Sequence, residues 1–172
     1  MKGVNNLHIL LDNGHGNNTA GKRSPIWKDG TQLFEWELNR SIVQRLVKRL
    51  NADGIPCHII VPEDEDISLA ERCRRANNIA KQYGKENCLF LSVHSNASAN
   101  GQAKGIEIYT SKGNTKSDAY AEIFFKVGKE MFPKAKFRYD IKDGDHDKEE
   151  NFYVLRNTIC PAVLPEAFFY DN

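Results

Sequence analysis

Leu7-His8-Ile9-Leu10-Leu11-Asp12-Asn13-Gly14-His15-Gly16 is an apolar run that stops abruptly at a histidine held between two glycines. The run has the length and composition of a buried strand, and the glycines let the backbone turn sharply after it while the imidazole stays uncovered. A strand thereby delivers His15 to its own C-terminal end. Cys88-Leu89-Phe90-Leu91-Ser92-Val93 repeats the design and runs into His94, Ser95 and Asn96. Pro161-Ala162-Val163-Leu164-Pro165 ends in the same way on Glu166. If the three strands are parallel neighbours, their last side chains meet at the edge where open α/β sheets hold ligands. Two imidazoles and a carboxylate at that edge make the donor set of a metal site.

The segments between these runs support a parallel sheet. Thr31 to Ala52 carries Phe34, Leu38, Ile42, Leu46 and Leu50 at helical spacing and is followed by Asp53-Gly54, a C-terminal stop signal. Pro56 to Val61 is a second strand, and Glu63-Asp64-Glu65-Asp66 a solvated acidic turn lacking the glycine and ligand spacing of a calcium loop. Ser68-Leu69-Ala70-Glu71 is a capping box that opens a helix reaching about Tyr83-Gly84. Gly105 to Thr110 alternates like a further strand, and Thr115 to Phe132 bears an apolar helical stripe. Lys134 to Asn151, with Asp145-His146-Asp147, is expected to be a solvated loop, and Phe152 to Leu155 a strand that helps close the sheet. Strand alternating with helix is the signature of right-handed parallel crossovers. The expected fold is a single α/β domain over residues 1–172, a mostly parallel twisted sheet with helices on both faces and the site at the C-terminal edge of its strands.

Composition narrows the function classes. The chain has 172 residues, with 24 basic and 23 acidic side chains. Such a balance gives neither a nucleic-acid footprint nor a polybasic membrane patch. The first apolar run is too short for a signal sequence or a spanning helix. Cys57, Cys73, Cys88 and Cys160 show no CxxC spacing and read as buried free thiols, which fits folding in a reducing compartment. Asn17 to Gly30 is a long polar loop in which Lys22 and Arg23 are placed to meet an anionic part of a substrate.

A hydrolytic zinc site takes three protein ligands and leaves one position for water. His15 and His94 supply two. Glu35, in the first turn of the helix that starts at the same edge, and Glu166 both qualify as the third, and spacing does not rank them. One would be a ligand and the other the base that activates water.

The same residues, read in order, resemble the zinc-dependent N-acetylmuramoyl-L-alanine amidases of the amidase type 3 family. The resemblance is carried by Leu11-Asp12-Asn13-Gly14-His15-Gly16, Glu35 with Asn39 and Arg40, and Leu69 with Arg72 and Asn77. It continues through Ser92-Val93-His94-Ser95-Asn96-Ala97, Gly105-Ile106-Glu107, Tyr153-Val154-Leu155-Arg156 and Pro161 to Glu166. It implies one zinc ion held by His15, Glu35 and His94, with Glu166 as the catalytic carboxylate. The implied reaction is hydrolysis of the amide between N-acetylmuramic acid and the first L-alanine of a peptidoglycan stem. Zinc would lower the pKa of its water toward ~7, and Glu166 would carry the water's proton to the departing amine. Asp12 and Glu107 are candidates to orient a ligand imidazole, Asn96 to contact substrate, and Arg156 to hold a substrate carboxylate or brace its loop.

Two positions depart from the family pattern. Asn13 stands where proline is frequent, and Pro165 precedes the glutamate where a β-branched residue is usual. Proline donates no ladder hydrogen bond, so this strand is expected at a sheet edge or distorted there. Members usually continue past the position of Asn172 into a final helix, so a minimal or truncated domain is expected. Peptidoglycan is the expected partner, with no nucleic acid and no membrane insertion, for a monomer. The expected route is that of a phage or prophage endolysin, made in the cytoplasm without a signal peptide and acting on the cell wall; the alternative is an exported enzyme without its leader. Rival functions are a zinc peptidase acting on stem peptides and an inactive wall-binding domain of the same fold.

Overall fold

The computed structural model describes residues 6–142 and 144–172. Six strands form one sheet: β1 (His8–Asn13), β2 (Cys57–Ile59), β3 (Cys88–Asn96), β4 (Glu107–Thr110), β5 (Lys148–Glu149) and β6 (Ala162–Phe169). Four helices accompany them, α1 (Glu35–Ala52), α2 (Leu69–Tyr83), α3 (Lys116–Met131) and α4 (Tyr153–Asn157). The strand order is β2-β1-β3-β6-β4-β5. The first four of these run parallel, and β4 turns antiparallel to β6 and carries β5 parallel to itself. The α/β class and mostly parallel sheet agree with the sequence.

Alternation along β1 explains the unbroken apolar run. Leu10 faces the core that also holds Cys73 and Ala76 of α2 and Val154 and Leu155 of α4. Ile9 and Leu11 face the opposite core, with Val43 of α1 and Ala121 and Phe125 of α3. A strand covered on both faces needs apolar side chains at consecutive positions. Over the central strands on the α1 and α3 side, Leu46, Leu91, Val93, Phe124 and Pro165 line an apolar groove of about 740 Å3. Cys73, Cys88 and Cys160 are buried free thiols, and Cys57 is half-buried.

Four expectations change. First, the helix expected from Thr31 begins at Glu35, because Ser24 and Trp27 bond backbone to backbone with Leu33 and Thr31 and hold the preceding residues extended. Second, the strand expected at Phe152–Leu155 is the short helix α4. A brief apolar run has no periodicity to separate the two states, and Asn77 of α2 fixes the outcome by bonding the Asn157 carbonyl and the Ile159 amide. Third, β6 is not an edge strand; it lies between β3 and β4. Distortion is the part of that expectation that holds: Pro165 sits opposite Ile108, and the pairing with β3 shifts register between His94 and Asn96.

Fourth, Lys134–Asn151 is not simply a solvated loop. Phe137 enters the α1/α3 core, His146 stacks on Phe125 with ring centroids 4.0 Å apart, and Lys148–Glu149 adds β5 beside β4. Asp147 is buried and accepts the Thr110 hydroxyl at 2.6 Å. Such order could not be read from polar composition, because its apolar anchors are spread among charged residues.

Burial first, with neighbouring Asp145 adding to it and the Thr110 hydroxyl opposing, pushes the Asp147 carboxyl up to about 7. A carboxyl raised on folding stabilises the native state below its unfolded pKa and loses that contribution as pH rises through its folded pKa. Between pH 4 and 8 the wild type is therefore expected to lose stability relative to Asp147→Asn, as read by urea midpoints across that range; parallel pH profiles would contradict this account.

Candidate metal centre

His15, Glu35 and His94 converge at the C-terminal edge of the parallel strands, each with a donor atom within 4.8 Å of the others'. His15 lies two residues beyond β1, His94 is near the end of β3, and Glu35 is the first residue of α1. His15 Nε2 is 3.4 Å and His94 Nδ1 3.1 Å from Glu35 Oε1. The same oxygen accepts the Ser95 amide at 3.2 Å and Asn39 Nδ2 at 3.4 Å. Glu35 Oε2 is buried with no hydrogen-bond partner among the described residues, and Lys22 Nζ stands 4.0 Å from it.

The backbone is shaped to this convergence. His15 has φ of 66°, left-handed for a residue with a side chain, a conformation that costs on the order of 1 kcal/mol and is held only where surroundings impose it. Those surroundings are Arg40 and Arg72, which both donate to the His15 carbonyl, at 3.1 and 3.3 Å. Gly14 is required because a Cβ there would overlap the His94 imidazole.

Arg72, buried to 2% exposure, is the brace. Its five N–H groups face five acceptors: the carbonyls of Ile67, Asn13 and His15 and the carboxylates of Asp12 and Asp66. Asp12 also accepts the Ser92 hydroxyl at 2.6 Å, which ties β1 to β3 below the site.

Glu166 lies opposite His94 in the β3–β6 register and opposite Glu107 in the β6–β4 register. Its Oε2 is buried with no hydrogen-bond partner among the described residues. Burial first, and Glu35 among its neighbours, push its carboxyl up to about 7 against the opposing charge of His94. Glu107 is buried too, yet held below the ordinary carboxylate range: burial acts to raise it, and Lys148, Arg138 and the Tyr109 hydroxyl, at 2.7–2.8 Å, more than offset that. Around the triad, burial draws His15 below its ordinary value. For His94 burial acts the same way, but Glu35 and Glu166 lift it above. Burial alone would raise Glu35, and the two imidazoles outweigh it and hold the carboxyl far below its usual range.

Of the residues singled out by sequence, the structure brings together His15, Glu35, His94 and Glu166, with Asn96 and Glu107 bonded to each other beside them. Asp12 and Glu107 touch no imidazole among the described residues; their partners are arginine, lysine and uncharged side chains. Arg156 is exposed and borders a cavity with residues that precede β3 and β6, at the opposite edge of the sheet. Arg138 and Lys148 were not foreseen, since neither stands near a strand-end histidine in sequence.

The donor set fits a catalytic divalent cation. Two imidazoles and a carboxylate are the three-ligand pattern that zinc hydrolases use, and tetrahedral ligation at ~2 Å places donor atoms roughly 3.3 Å apart; the two imidazole distances to Glu35 Oε1, 3.1 and 3.4 Å, are close to that, and the whole donor set spans up to 4.8 Å. The buried Glu35 Oε2 is a further acceptor with no donor among the described residues.

Fold and centre together define an α/β protein with a metal-ready His/Glu/His site at the strand edge. A model of the N-acetylmuramoyl-L-alanine amidase family matches residues 9–172, and the chain belongs to that family. It is 29% identical over 164 residues to the N-acetylmuramoyl-L-alanine amidase LytC of Bacillus subtilis, which covers 95% of this chain and 29% of LytC. It is 32% identical over 166 residues to the endolysin of Bacillus phage SPP1, covering 95% of this chain and 55% of the endolysin. The chain thus spans less than two thirds of either relative. The crystal structure of an N-acetylmuramoyl-L-alanine amidase from Clostridium difficile 630 superposes with a TM-score of 0.78 at 28% identity, over 96% of this chain and 81% of that one.

Replacing Arg72 by methionine removes every donor from the buried Asp12 carboxylate except Ser92. Breaking one side of a buried ion pair is expected to destabilise by about 3–5 kcal/mol, measured by urea unfolding. A loss below ~1 kcal/mol would show that Arg72 does not brace the His15 loop.

Proposed function

We propose that this chain hydrolyses the amide bond between N-acetylmuramic acid and the first L-alanine of a peptidoglycan stem. In this reading His15, Glu35 and His94 hold one zinc ion and Glu166 carries the proton. The observation that supports it most is the position of Glu166: a buried carboxylate oxygen without a partner, opposite His94, with its pKa pushed up to about 7. Membership of the amidase family, and the names of the Bacillus amidase and the phage endolysin, support the substrate.

A zinc ion held by His15, Glu35 and His94 would supply Lewis acidity to the scissile carbonyl and to water. Glu166 takes the proton of the attacking water on Oε2 and returns it to the amide nitrogen as the C–N bond breaks. A group that must act as base and then as acid works best with a pKa near the operating pH, and burial, aided by the charges of Glu35 and Glu107, provides it. Glu35, held far below the usual carboxylate range by the two imidazoles, stays ionised and serves as ligand, not as proton carrier. Asn39 and Ser95 fix its orientation through Oε1. Lys22, beside Glu35, is placed to meet an anionic part of the substrate. Its place of action would be the cell wall. Among the described residues no helix is long and apolar enough to cross a membrane.

The test is mass analysis of soluble products released from purified peptidoglycan. Wild type is expected to free stem peptides with an unmodified L-alanine amino terminus, Glu166→Gln to do so about 10²–10⁴-fold more slowly, and chelator-treated protein to stop until zinc is restored. Shortened stems still attached to glycan would identify a peptidase instead. Sedimentation with the wall and no release would identify a binding domain.

A further inference from the structure

At the sheet edge opposite the triad, a cavity of about 460 Å3 opens between the turn before β3, the end of β4 and the segment leading into β6. Its volume is in the range of small-ligand sites. Lys85, Lys112, Lys116 and Arg156 line it, against the single carboxylate of Glu86. Four cations against one carboxylate leave +3 in this concavity, within a chain whose formal net charge is only +1, although Lys112 also borders an adjoining concavity lined by Asp140, Asp147 and Glu149.

The cations are notable for what they do not do. Arg72, Arg74, Arg75, Arg138 and Lys148 each lie within 4.0 Å of a carboxylate. Among the described residues none of the four cavity cations has such a partner. Like charges gathered without counter-charge repel one another, and an anionic ligand would relieve that repulsion. Ser111, whose hydroxyl has no protein acceptor among the described residues, also lines the cavity. The first turn of α3 faces it, but Asp118 closes the capping box with Thr115 and offsets part of the helix dipole. The cations therefore carry the site.

We infer that this cavity binds a phosphate group, either of a free phosphate ester or within a polyol-phosphate chain. Ammonium groups act as point charges for phosphate, and a guanidinium matches two of its oxygens at once. A phosphate dianion offsets more of that charge than one carboxylate does, and successive phosphodiesters can offset all of it. β3 separates this cavity from His94 by six residues, about 20 Å along the strand. An anion bound here leaves the triad clear, so a polymeric ligand would tether the domain without competing for its site.

Isothermal titration of the whole chain with inorganic phosphate, with a glycerol-phosphate oligomer and with polyglutamate tests this, at low and high salt. Wild type is expected to bind one or both phosphate probes more tightly than polyglutamate, with affinity falling as salt rises. The double variant Lys85→Ala/Lys112→Ala is expected to bind about tenfold more weakly or worse, the loss of two charge-assisted contacts, with an unchanged melting temperature. Binding of the oligomer alone assigns the polymer, and binding of inorganic phosphate as well assigns the single group. No binding of either, equal binding of polyglutamate, or an unaltered affinity in the double variant overturns the inference. Because the readout is binding and not release of peptide, it stands or falls separately from the hydrolytic proposal.

Discussion

The buried guanidinium of Arg72 is the interaction on which the centre depends. It is reached from β1 through Asp12, from the loop after β1 through the Asn13 and His15 carbonyls, and from the turn before α2 through Ile67 and Asp66. Two pieces of chain some fifty residues apart, Asp12 to His15 and Asp66 to Ile67, thus share one planar cation. Its fork satisfies carboxylate and carbonyl acceptors together, which a lysine's single ammonium would not do in that geometry. His15 can hold a left-handed backbone because its carbonyl is captured by Arg72 and Arg40 from two helices. The strain is local, and the burial of both arginines supports it.

Glu107 and Glu166 show how one sheet edge produces two different acids. They are cross-strand partners, both largely withdrawn from water. Glu107 is surrounded by Arg138, Lys148, Tyr109 and Asn96, so its charge is fully compensated and its proton is lost early. Glu166 has His94 on one side, an unpartnered oxygen, and other carboxylates nearby. Desolvation then prevails and its proton is held to about 7. Paired carboxylates with pKa values pushed apart by their surroundings are the usual arrangement where one must move a proton and the other must stay charged. Antiparallel β4 brings the compensated partner, because its first residue falls at the edge where the parallel strands end.

Much of this was legible in the chain. A double-covered strand must be apolar at every position, so Ile9-Leu10-Leu11 and Leu89-Phe90-Leu91 announced themselves. The histidines that interrupt such runs had to emerge at the same edge if the strands were parallel. Polar-looking segments were harder to read. Asp147 and Phe137 are buried within a stretch whose average composition is hydrophilic, and α4 is too short to show a period. Pro165 misled because one absent N–H suggested an edge, while the sheet accommodates it inside by shifting register beside His94.

By itself the sequence determined the class of fold and singled out His15, His94, Glu166 and Glu35 as candidates for one sheet edge; the structure carries β6 on to Phe169, so Glu166 lies within that strand and not at its end. Local rules suffice for these, since periodicity and chain breaks are properties of neighbours along the chain. The tertiary structure alone decided that Arg72 braces the His15 loop, that Gly14 yields its space to the His94 ring, and that Arg156 lies at the far edge among three lysines. It also decided which buried carboxylate keeps its proton. Those outcomes depend on which charges share a desolvated space, and residues that share it are separated by tens of positions in the chain.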